Sequence, residues 1–306
     1  MIQGKLINSV IVSALLALVG SVQAETAAAP AASAPASAAS GAHWKHKHTH
    51  HDKMDRRAHA ADHVASGAHG AHAAHHAHWD YVNSHAEGPG HWGDLDHAFE
   101  QCTKGIHQSP VNVGRSKTVK AQLPALEFSY SSVAPVILNN GHTVQVGLPA
   151  GQKLKVGDQS YELLQFHFHT PSEEAISDKR SPMVAHFVHK NAEGKLGVVA
   201  LLIDIGKAEG PMDAIFDHLP RPGEKVTVDD LTLDLSAMLP KNLGYYNLEG
   251  SLTTPPCSEG VNWMILKEHG TLTKAHVRAF QHMFHEGHGN ARPIQPLNDR
   301  VVKESL

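Results

Sequence analysis

Three histidines have the types and the spacing of a metal site. His167 and His169 are one residue apart, and side chains at positions i and i+2 of a strand point to the same face. Phe166 and Phe168 then point into the opposite layer. Sixteen residues separate His169 from His186, which is enough for a loop and a return strand carrying a third imidazole. Three neutral nitrogen ligands leave a tetrahedral zinc ion with an open fourth position, as in catalytic sites.

A His-x-His pair alone is usually not a ligand pair, so this prediction depends on the elements around it. Segments rich in β-branched or aromatic residues alternate with Asn-Gly, Gly-Asp and Glu-Gly turn signals, a pattern typical of antiparallel hairpins. Apolar residues recur at helical spacing over Thr273–Phe284 behind a threonine cap, and a shorter helix is predicted over Met212–Leu219. The predicted strands are Val136–Leu138, Thr143–Leu148, Tyr161–His169, Met183–Lys190 and Leu196–Ile205.

Length and composition limit the classes of protein that fit. The 306 residues, 41% hydrophobic, suffice for one catalytic domain with extensions. A formal net charge of −4 gives no basic field that would attract nucleic acid or an anionic membrane surface. Histidine is abundant, with 27 residues, which directs attention to metal and proton chemistry. Two cysteines are too few for a zinc ribbon or a disulfide-dense scaffold.

Residues 1–24 have the pattern of a secretory signal peptide. Lys5 precedes an apolar run from Ile7 to Val19, and the segment ends with small residues at the positions that a signal peptidase recognises. The alternative is a membrane anchor, but the run is shorter than the roughly 20 residues that span a bilayer. We therefore expect export, most simply to the periplasm with an extracellular location left open, and no stable membrane insertion after cleavage.

Two segments of low complexity precede the predicted domain at 79–306. Residues 25–42 are almost wholly Ala, Pro and Ser, which cannot bury enough area to offset the entropy of ordering, so a linker is predicted. Residues 43–78 hold 12 histidines among Ala, Gly, Lys and Asp. This arm is expected to be disordered. It is either a metal-collecting or proton-buffering segment that binds additional ions weakly, or a soluble spacer.

Several motifs, in order along the chain, together resemble an α-class carbonic anhydrase of bacterial type. The resemblance covers essentially the whole segment from Trp79 to Arg300. It implies a mainly β fold, a large, twisted, mostly antiparallel central sheet of about ten strands with a few short surface helices and zinc at the base of a conical cleft. The motifs are Gln165–His169, Pro171–Glu173, Ala185–His189 and Ser251–Cys257, supported by Gly88–Trp92, Gln108–Asn112, Leu138–His142 and Asn290–Leu297.

The resemblance implies a reaction, the zinc-dependent reversible hydration of carbon dioxide to bicarbonate and a proton. Zinc-bound hydroxide attacks carbon dioxide, and a histidine shuttle removes the proton. Thr253 would accept a hydrogen bond from the hydroxide and donate its own proton to Glu173. From the residues alone, the preferred interpretations are a turn residue before the Pro pair for Thr253 and a solvated loop carboxylate for Glu173. The implied zinc ligands are His167, His169 and His186, and the implied carbon dioxide pocket is Val188, Val199, Leu252, Thr254, Val261 and Trp263.

The implied proton shuttle is His142, and histidine suits that task because its ordinary pKa lies near neutral pH. The alternative is an exposed turn histidine after Asn-Asn-Gly. Tyr81, Asn140 and Gln145 match the residues that order the intervening waters. Cys102 and Cys257 match a disulfide of secreted bacterial members. Export favours that pairing over two free thiols.

One departure from the family pattern concerns the residues around the metal ligands. Zinc histidines usually donate their second ring nitrogen to a carboxylate or carbonyl. Gln165 and Glu174 are assigned to such places. In the family a glutamate lies two residues before the third histidine, but Val184 stands there and Leu248 replaces a usual tyrosine nearby. We predict that Glu174 reaches His186 instead, directly or through a water. The alternative is a solvated loop residue.

Two other functions compete with catalysis. A zinc-storage or zinc-delivery protein would explain the histidine-rich arm, but it would need neither Thr253, Glu173 nor an apolar pocket. A catalytically inactive binding module of the same fold would be expected to have lost a zinc histidine. The small-molecule substrate is the partner that the sequence predicts, and a homodimer stays open.

Overall fold

The computed structural model describes residues 77–207, 209–284 and 289–306. The predicted signal peptide, linker and nearly all of the histidine-rich arm lie outside these residues. No helix in the described ranges combines the length and apolar character needed to cross a bilayer. The helices are α1 (Trp92–Leu95), α2 (Gln101–Lys104), α3 (Asp213–Phe216) and α4 (Lys274–Met283), with 3-10 turns η1 (His97–Phe99) and η2 (Arg115–Lys117).

Strands dominate the described chain, as the sequence predicted. The first nine are β1 (Asn112–Val113), β2 (Val119–Ala121), β3 (Leu126–Ser129), β4 (Ser132–Val133), β5 (Val136–Asn139), β6 (Val144–Gly147), β7 (Lys153–Val156), β8 (Gln159–His169) and β9 (Ala175–Ile176). The others are β10 (Lys179–Arg180), β11 (Met183–Asn191), β12 (Leu196–Gly206), β13 (Lys225–Thr227), β14 (Leu233–Asp234), β15 (Tyr245–Ser251), β16 (Glu259–Leu266), β17 (Gly270–Thr273) and β18 (Lys303–Ser305). The five predicted strands correspond to β5, β6, β8, β11 and β12.

A central sheet of 13 strands within the described residues holds most of the chain, in the order β13-β5-β6-β8-β11-β12-β16-β15-β18-β2 with β3, β7 and β17 attached at the side. Most neighbours are antiparallel. Three pairs, β12 with β16, β12 with β17 and β18 with β2, are parallel. The predicted fold class is confirmed, and the predicted helix is α4, where Thr273 Oγ1 accepts the backbone N–H of His276 at 3.4 Å.

The two faces of the sheet bury separate apolar clusters. Adjacent residues of a strand alternate between the faces, so Phe166 and Phe168 lie in one cluster and the histidines of β8 face the other way. The main core includes Phe166, Phe168, Phe187, Val199, Leu201, Met264 and Phe280. The site-side cluster includes Val184, Val188, Val198, Ala200, Leu248, Val261, Trp263 and Ile265.

A third cluster attaches the N-terminal part of the described chain. Tyr81, Trp92 and Phe99 pack with Cys102 and Cys257. The two cysteines form a disulfide across a sequence separation of 155 residues, as the resemblance implied. This bond ties α2 to the loop that follows β15.

Candidate metal centre

Strand register brings the three histidines together. His167 of β8 pairs directly with His186 of β11, and His169 lies two residues further along β8 on the same face. Their ligand atoms all lie within 4.8 Å of one another, a group that could hold a metal ion. The ring centroids are 4.8 to 5.4 Å apart. The spacing recognised in the sequence therefore produces one compact nitrogen cluster.

In each of the three imidazoles, one ring nitrogen is hydrogen-bonded to an oxygen acceptor, which orients the ring. A carbonyl, amide or carboxylate oxygen accepts the ring N–H, which fixes the tautomer and leaves the other nitrogen for a metal. The free nitrogens are then Nε2 of His167 and His169 and Nδ1 of His186. The contacts are His167 Nδ1 to Gln165 Oε1 at 2.9 Å, His169 Nδ1 to Asn290 O at 2.7 Å and His186 Nε2 to Glu174 Oε1 at 3.0 Å.

Burial sets the charge state of this cluster. Burial and the two neighbouring imidazoles hold the pKa of His167 well below its ordinary value. Burial also lowers the pKa of His169, although Glu173 opposes the shift. Burial acts the same way on His186, but the charge and hydrogen bond of Glu174 outweigh it and the pKa is raised. His167 and His169 are therefore neutral near pH 7, the form that a metal requires.

Glu173 is a fully buried carboxylate beside the histidines. Its Oε1 accepts the backbone N–H of Arg292 at 2.8 Å. Its Oε2 has no hydrogen-bond partner and lies 3.5 Å from Nε2 of His169, which is also without one. Buried polar atoms without partners are rare, and an ion bound between these groups would satisfy them. The donor set of three imidazole nitrogens therefore fits a zinc ion.

The hydrogen bond from Thr253 to Glu173 stays a prediction: among the described residues, Glu173 Oε1 accepts from Arg292 and Oε2 has no partner. That oxygen lies instead toward the imidazole nitrogens, 3.5 Å from His169 and 3.9 Å from Nδ1 of His186. Thr253 is nevertheless buried. It lies in the loop after β15, between the partly buried Leu252 and Thr254.

An apolar wall adjoins the histidines on the same face. Val188, two residues after His186, is 8% exposed and pairs directly with Val198 of β12. Val198 in turn pairs with Trp263 of β16. With Val261 and the partly buried Leu252, they belong to the site-side cluster. This surface could receive a small apolar molecule.

The assignment of Val199 to this wall is wrong. Val199 pairs with Phe187 and lies in the main core on the opposite face of the sheet. Neighbouring strand residues point to opposite faces, so a slip of one position exchanges the faces. Val198 occupies the place that was assigned to Val199.

His142 lies in the turn between β5 and β6, partly exposed and stacked on Trp79 with ring centroids 3.7 Å apart. Asn140 Oδ1 accepts the backbone N–H of His142 at 3.0 Å, which shapes the turn. Asn290 Nδ2 donates to the carbonyl of His142 at 2.9 Å, while the Asn290 carbonyl accepts from His169. The turn is therefore tied to a ligand of the candidate metal centre.

Tyr81 and Gln145 also lie near the histidines. Tyr81 is buried, which raises the pKa of its hydroxyl well above the ordinary value, so the hydroxyl stays protonated. Its ring centroid is 6.5 Å from that of His169. Gln145 of β6 is partly exposed and pairs with His167 across the strands.

Two residues of the site were missed by sequence reasoning, Asn290 and Arg292. They act through backbone atoms, the carbonyl that holds His169 and the N–H that holds Glu173. The buried guanidinium of Arg292 also donates to the Cys102 carbonyl at 3.0 Å. Backbone contacts carry no signal in residue type, so the sequence indicates this segment only as part of the resemblance.

Comparisons with known proteins agree with this geometry. The family model of the eukaryotic-type carbonic anhydrases matches residues 87–306, and the chain belongs to this family. Its enzyme class is therefore carbonic anhydrase.

Its relatives include bacterial carbonic anhydrases. The one from Pectobacterium atrosepticum is 40% identical over 224 residues, 73% of this chain and 89% of the relative. The one from Neisseria gonorrhoeae is 42% identical over 227 residues, 74% and 87% of the two chains. The α-carbonic anhydrase of Thermovibrio ammonificans, solved with the inhibitor sulfanilamide, is 38% identical with a TM-score of 0.71 and covers 74% and 99%.

Proposed function

We propose that this enzyme hydrates carbon dioxide reversibly to bicarbonate and a proton, with one zinc ion held by His167, His169 and His186. The observation that carries this proposal is the orientation of the three rings. Each has one nitrogen held by an oxygen acceptor and offers the other within 4.8 Å of its neighbours. When bound, zinc is a Lewis acid that makes hydroxide available near neutral pH, as is known for carbonic anhydrase itself.

The remaining residues would hold and orient the reactants. Carbon dioxide is apolar, and the wall of Val188, Val198, Val261 and Trp263 suits it because contact with apolar side chains removes apolar surface from water. Glu173 Oε2 is a buried acceptor without a partner, so it can take the hydroxyl proton of Thr253 in a hydrogen bond. The Thr253 oxygen would then be an acceptor and orient the attacking oxygen.

Proton export is assigned to His142. Its partly exposed imidazole lies in a turn tied through Asn290 to His169, so one side is accessible to buffer. Tyr81, Asn140 and Gln145 are proposed to order the waters between. Histidine is the side chain whose ordinary pKa lies closest to neutral pH, which suits it to exchange protons with buffer.

Replacing His142 with alanine is expected to lower turnover in dilute buffer, with added imidazole restoring it because an external base then carries the proton. The measurement is carbon dioxide hydration at several buffer concentrations. His91→Ala, which removes an exposed histidine, is the matched control. Unchanged turnover of the His142→Ala enzyme in dilute buffer would assign the shuttle to another group.

The proposed function is tested by assaying hydration with and without a zinc chelator. We expect activity in the purified protein, loss after chelation and recovery on adding zinc, because the chemistry depends on the ion. A zinc-storage protein would bind the ion without hydrating carbon dioxide. An active enzyme that keeps its full rate after verified zinc removal would contradict the proposal.

We also propose that the catalytic domain is residues 79–306, preceded by the signal peptide 1–24, the linker 25–42 and the histidine-rich arm 43–78, with export to the periplasm. The family match that begins at residue 87 supports the start of this domain. The composition of residues 1–78 supports the remainder of the division.

A further inference from the structure

The third histidine of the cluster is held by a carboxylate that comes from a loop. Glu174 Oε1 and Oε2 lie 3.0 and 3.3 Å from Nε2 of His186. Both side chains are 1% exposed, so water does not screen the interaction. A buried, charge-assisted hydrogen bond of this kind fixes the ring more firmly than a neutral acceptor would.

The neighbouring position on the strand holds no polar group. Val184 lies two residues before His186 on β11 and therefore on the same face. It is fully buried and packs in the site-side cluster with Leu248. Neither side chain can accept a hydrogen bond from an imidazole. Within the described residues, the hydrogen-bond acceptor for this ring nitrogen is Glu174.

The backbone on both sides of Glu174 is anchored. Ser172 Oγ donates to the Glu174 carbonyl at 2.7 Å and accepts the backbone N–H of Ser181 at 2.9 Å. On the other side, the N–H of Ala175 donates to the Val111 carbonyl at 3.2 Å, where β9 begins to pair with β1. The direction in which Glu174 leaves the loop is therefore set by hydrogen bonds on both sides of it.

Glu173 and Glu174 are adjacent in this loop, and each lies near a different nitrogen of the His186 ring. Glu173 Oε2 lies 3.9 Å from Nδ1 of His186, on the side facing the other histidines, while Glu174 holds Nε2. The loop position and the orientation of the third ligand are thus set by the same short stretch of backbone.

We propose that Glu174 is the positioning residue of the third metal ligand, and that it performs from the loop the task that a carboxylate at position 184 would perform from the strand. The inference rests on the proposed zinc site. Glu174 holds the His186 N–H, presents Nδ1 to the metal and raises the basicity of the ring. With Glu174 in place, a further carboxylate at position 184 would bring like charges together in a buried site.

The inference is tested by measuring zinc dissociation constants through chelator competition. Glu174→Ala is expected to weaken zinc binding by about 10–100-fold. Glu174→Gln, which keeps the shape and an acceptor oxygen but not the charge, is expected to lose less. The double variant Glu174→Ala/Val184→Glu is expected to recover most of the affinity, because it returns a carboxylate to the same ring from the strand. Glu193→Ala, on an exposed turn, is the control and should match wild type.

The outcomes separate this inference from the proposed function. If wild type binds zinc and hydrates carbon dioxide while Glu174→Ala and Glu174→Gln bind zinc as tightly, Glu174 is not a positioning residue and the proposed function stands. A control Glu193→Ala that loses as much zinc affinity as Glu174→Ala would show that the loss does not come from the contact with His186, and would overturn the inference. If wild type binds no zinc, the proposed function and this inference both fail. If Glu174→Ala does not fold, the isosteric Glu174→Gln variant is the test. A zinc affinity of Glu174→Gln within twofold of wild type would then contradict the inference.

Discussion

Replacing His169 with alanine is expected to remove most of the bound zinc and nearly all hydration activity. His169 supplies one of three nitrogens in the cluster, and it is the most deeply enclosed of the two on β8. Loss of one ligand leaves two imidazoles, too few to hold zinc in a catalytic site. The measurements are zinc content after dialysis and the hydration rate of the same samples.

The same change tests the whole assignment of the metal centre. His167→Ala and His186→Ala should behave alike, since the three nitrogens act on one ion. His91→Ala, on the surface, should keep both zinc and activity. Full activity in a folded His169→Ala protein would show that the ion, if any, is held elsewhere.

Removal of the Cys102–Cys257 disulfide is expected to lower the free energy of unfolding by about 2–5 kcal/mol. The bond closes a long loop, with a sequence separation of 155 residues, so it removes much conformational freedom from the unfolded chain. The double variant Cys102→Ser/Cys257→Ser is compared with wild type by urea unfolding at equilibrium. Wild type in reductant should approach the variant, and reductant should leave the variant unchanged.

A variant as stable as oxidised wild type would contradict this expectation. It would mean that packing alone holds α2 against the loop after β15. The cluster of Tyr81, Trp92 and Phe99 around the sulfurs and the hydrogen bond from Arg292 to the Cys102 carbonyl would then be sufficient.

The metal ligands could be predicted from the sequence because the surrounding motifs identify them and because the strand geometry that brings them together is local. Alternation along β8 places His167 and His169 on one face whatever the rest of the fold, and the return strand needs only the antiparallel register of β11. The contact of Glu174 with His186 was also predicted. Val184 stands where the family has a glutamate, so the buried N–H of the His186 ring needs another hydrogen-bond acceptor.

The error at Val199 has a physical origin in β12. The strand is buried on both faces from Gly197 to Ile203, so it shows no alternation of polar and apolar residues. Val198 and Val199 are identical in type, and a pattern of residue types cannot say which one faces the histidines. Only the pairing of Val198 with Val188 decides it.

The two-residue strands and the pairings between distant parts of the chain could not be predicted from the sequence, for a related reason. Strands of two residues such as β1, β9 and β10 form because the rest of the fold brings them together, not because their sequences favour a strand. The parallel pairings of β12 with β16 and β17 likewise depend on topology. The roles of Asn290 and Arg292 depend on backbone atoms more than 100 residues from their partners.

The stacking of Trp79 on His142 has a practical consequence for attaching this enzyme to a surface. Whatever is fused or linked ahead of residue 77 enters the described structure beside the imidazole assigned to proton exchange. The carboxyl terminus is the better point of attachment. Leu306 is 77% exposed and follows β18. In the sheet, β18 lies five strands away from β8, and the usual spacing of strands makes that separation roughly 24 Å. Immobilisation through the carboxyl terminus is therefore expected to keep the attached surface away from β8 and from the turn that carries His142.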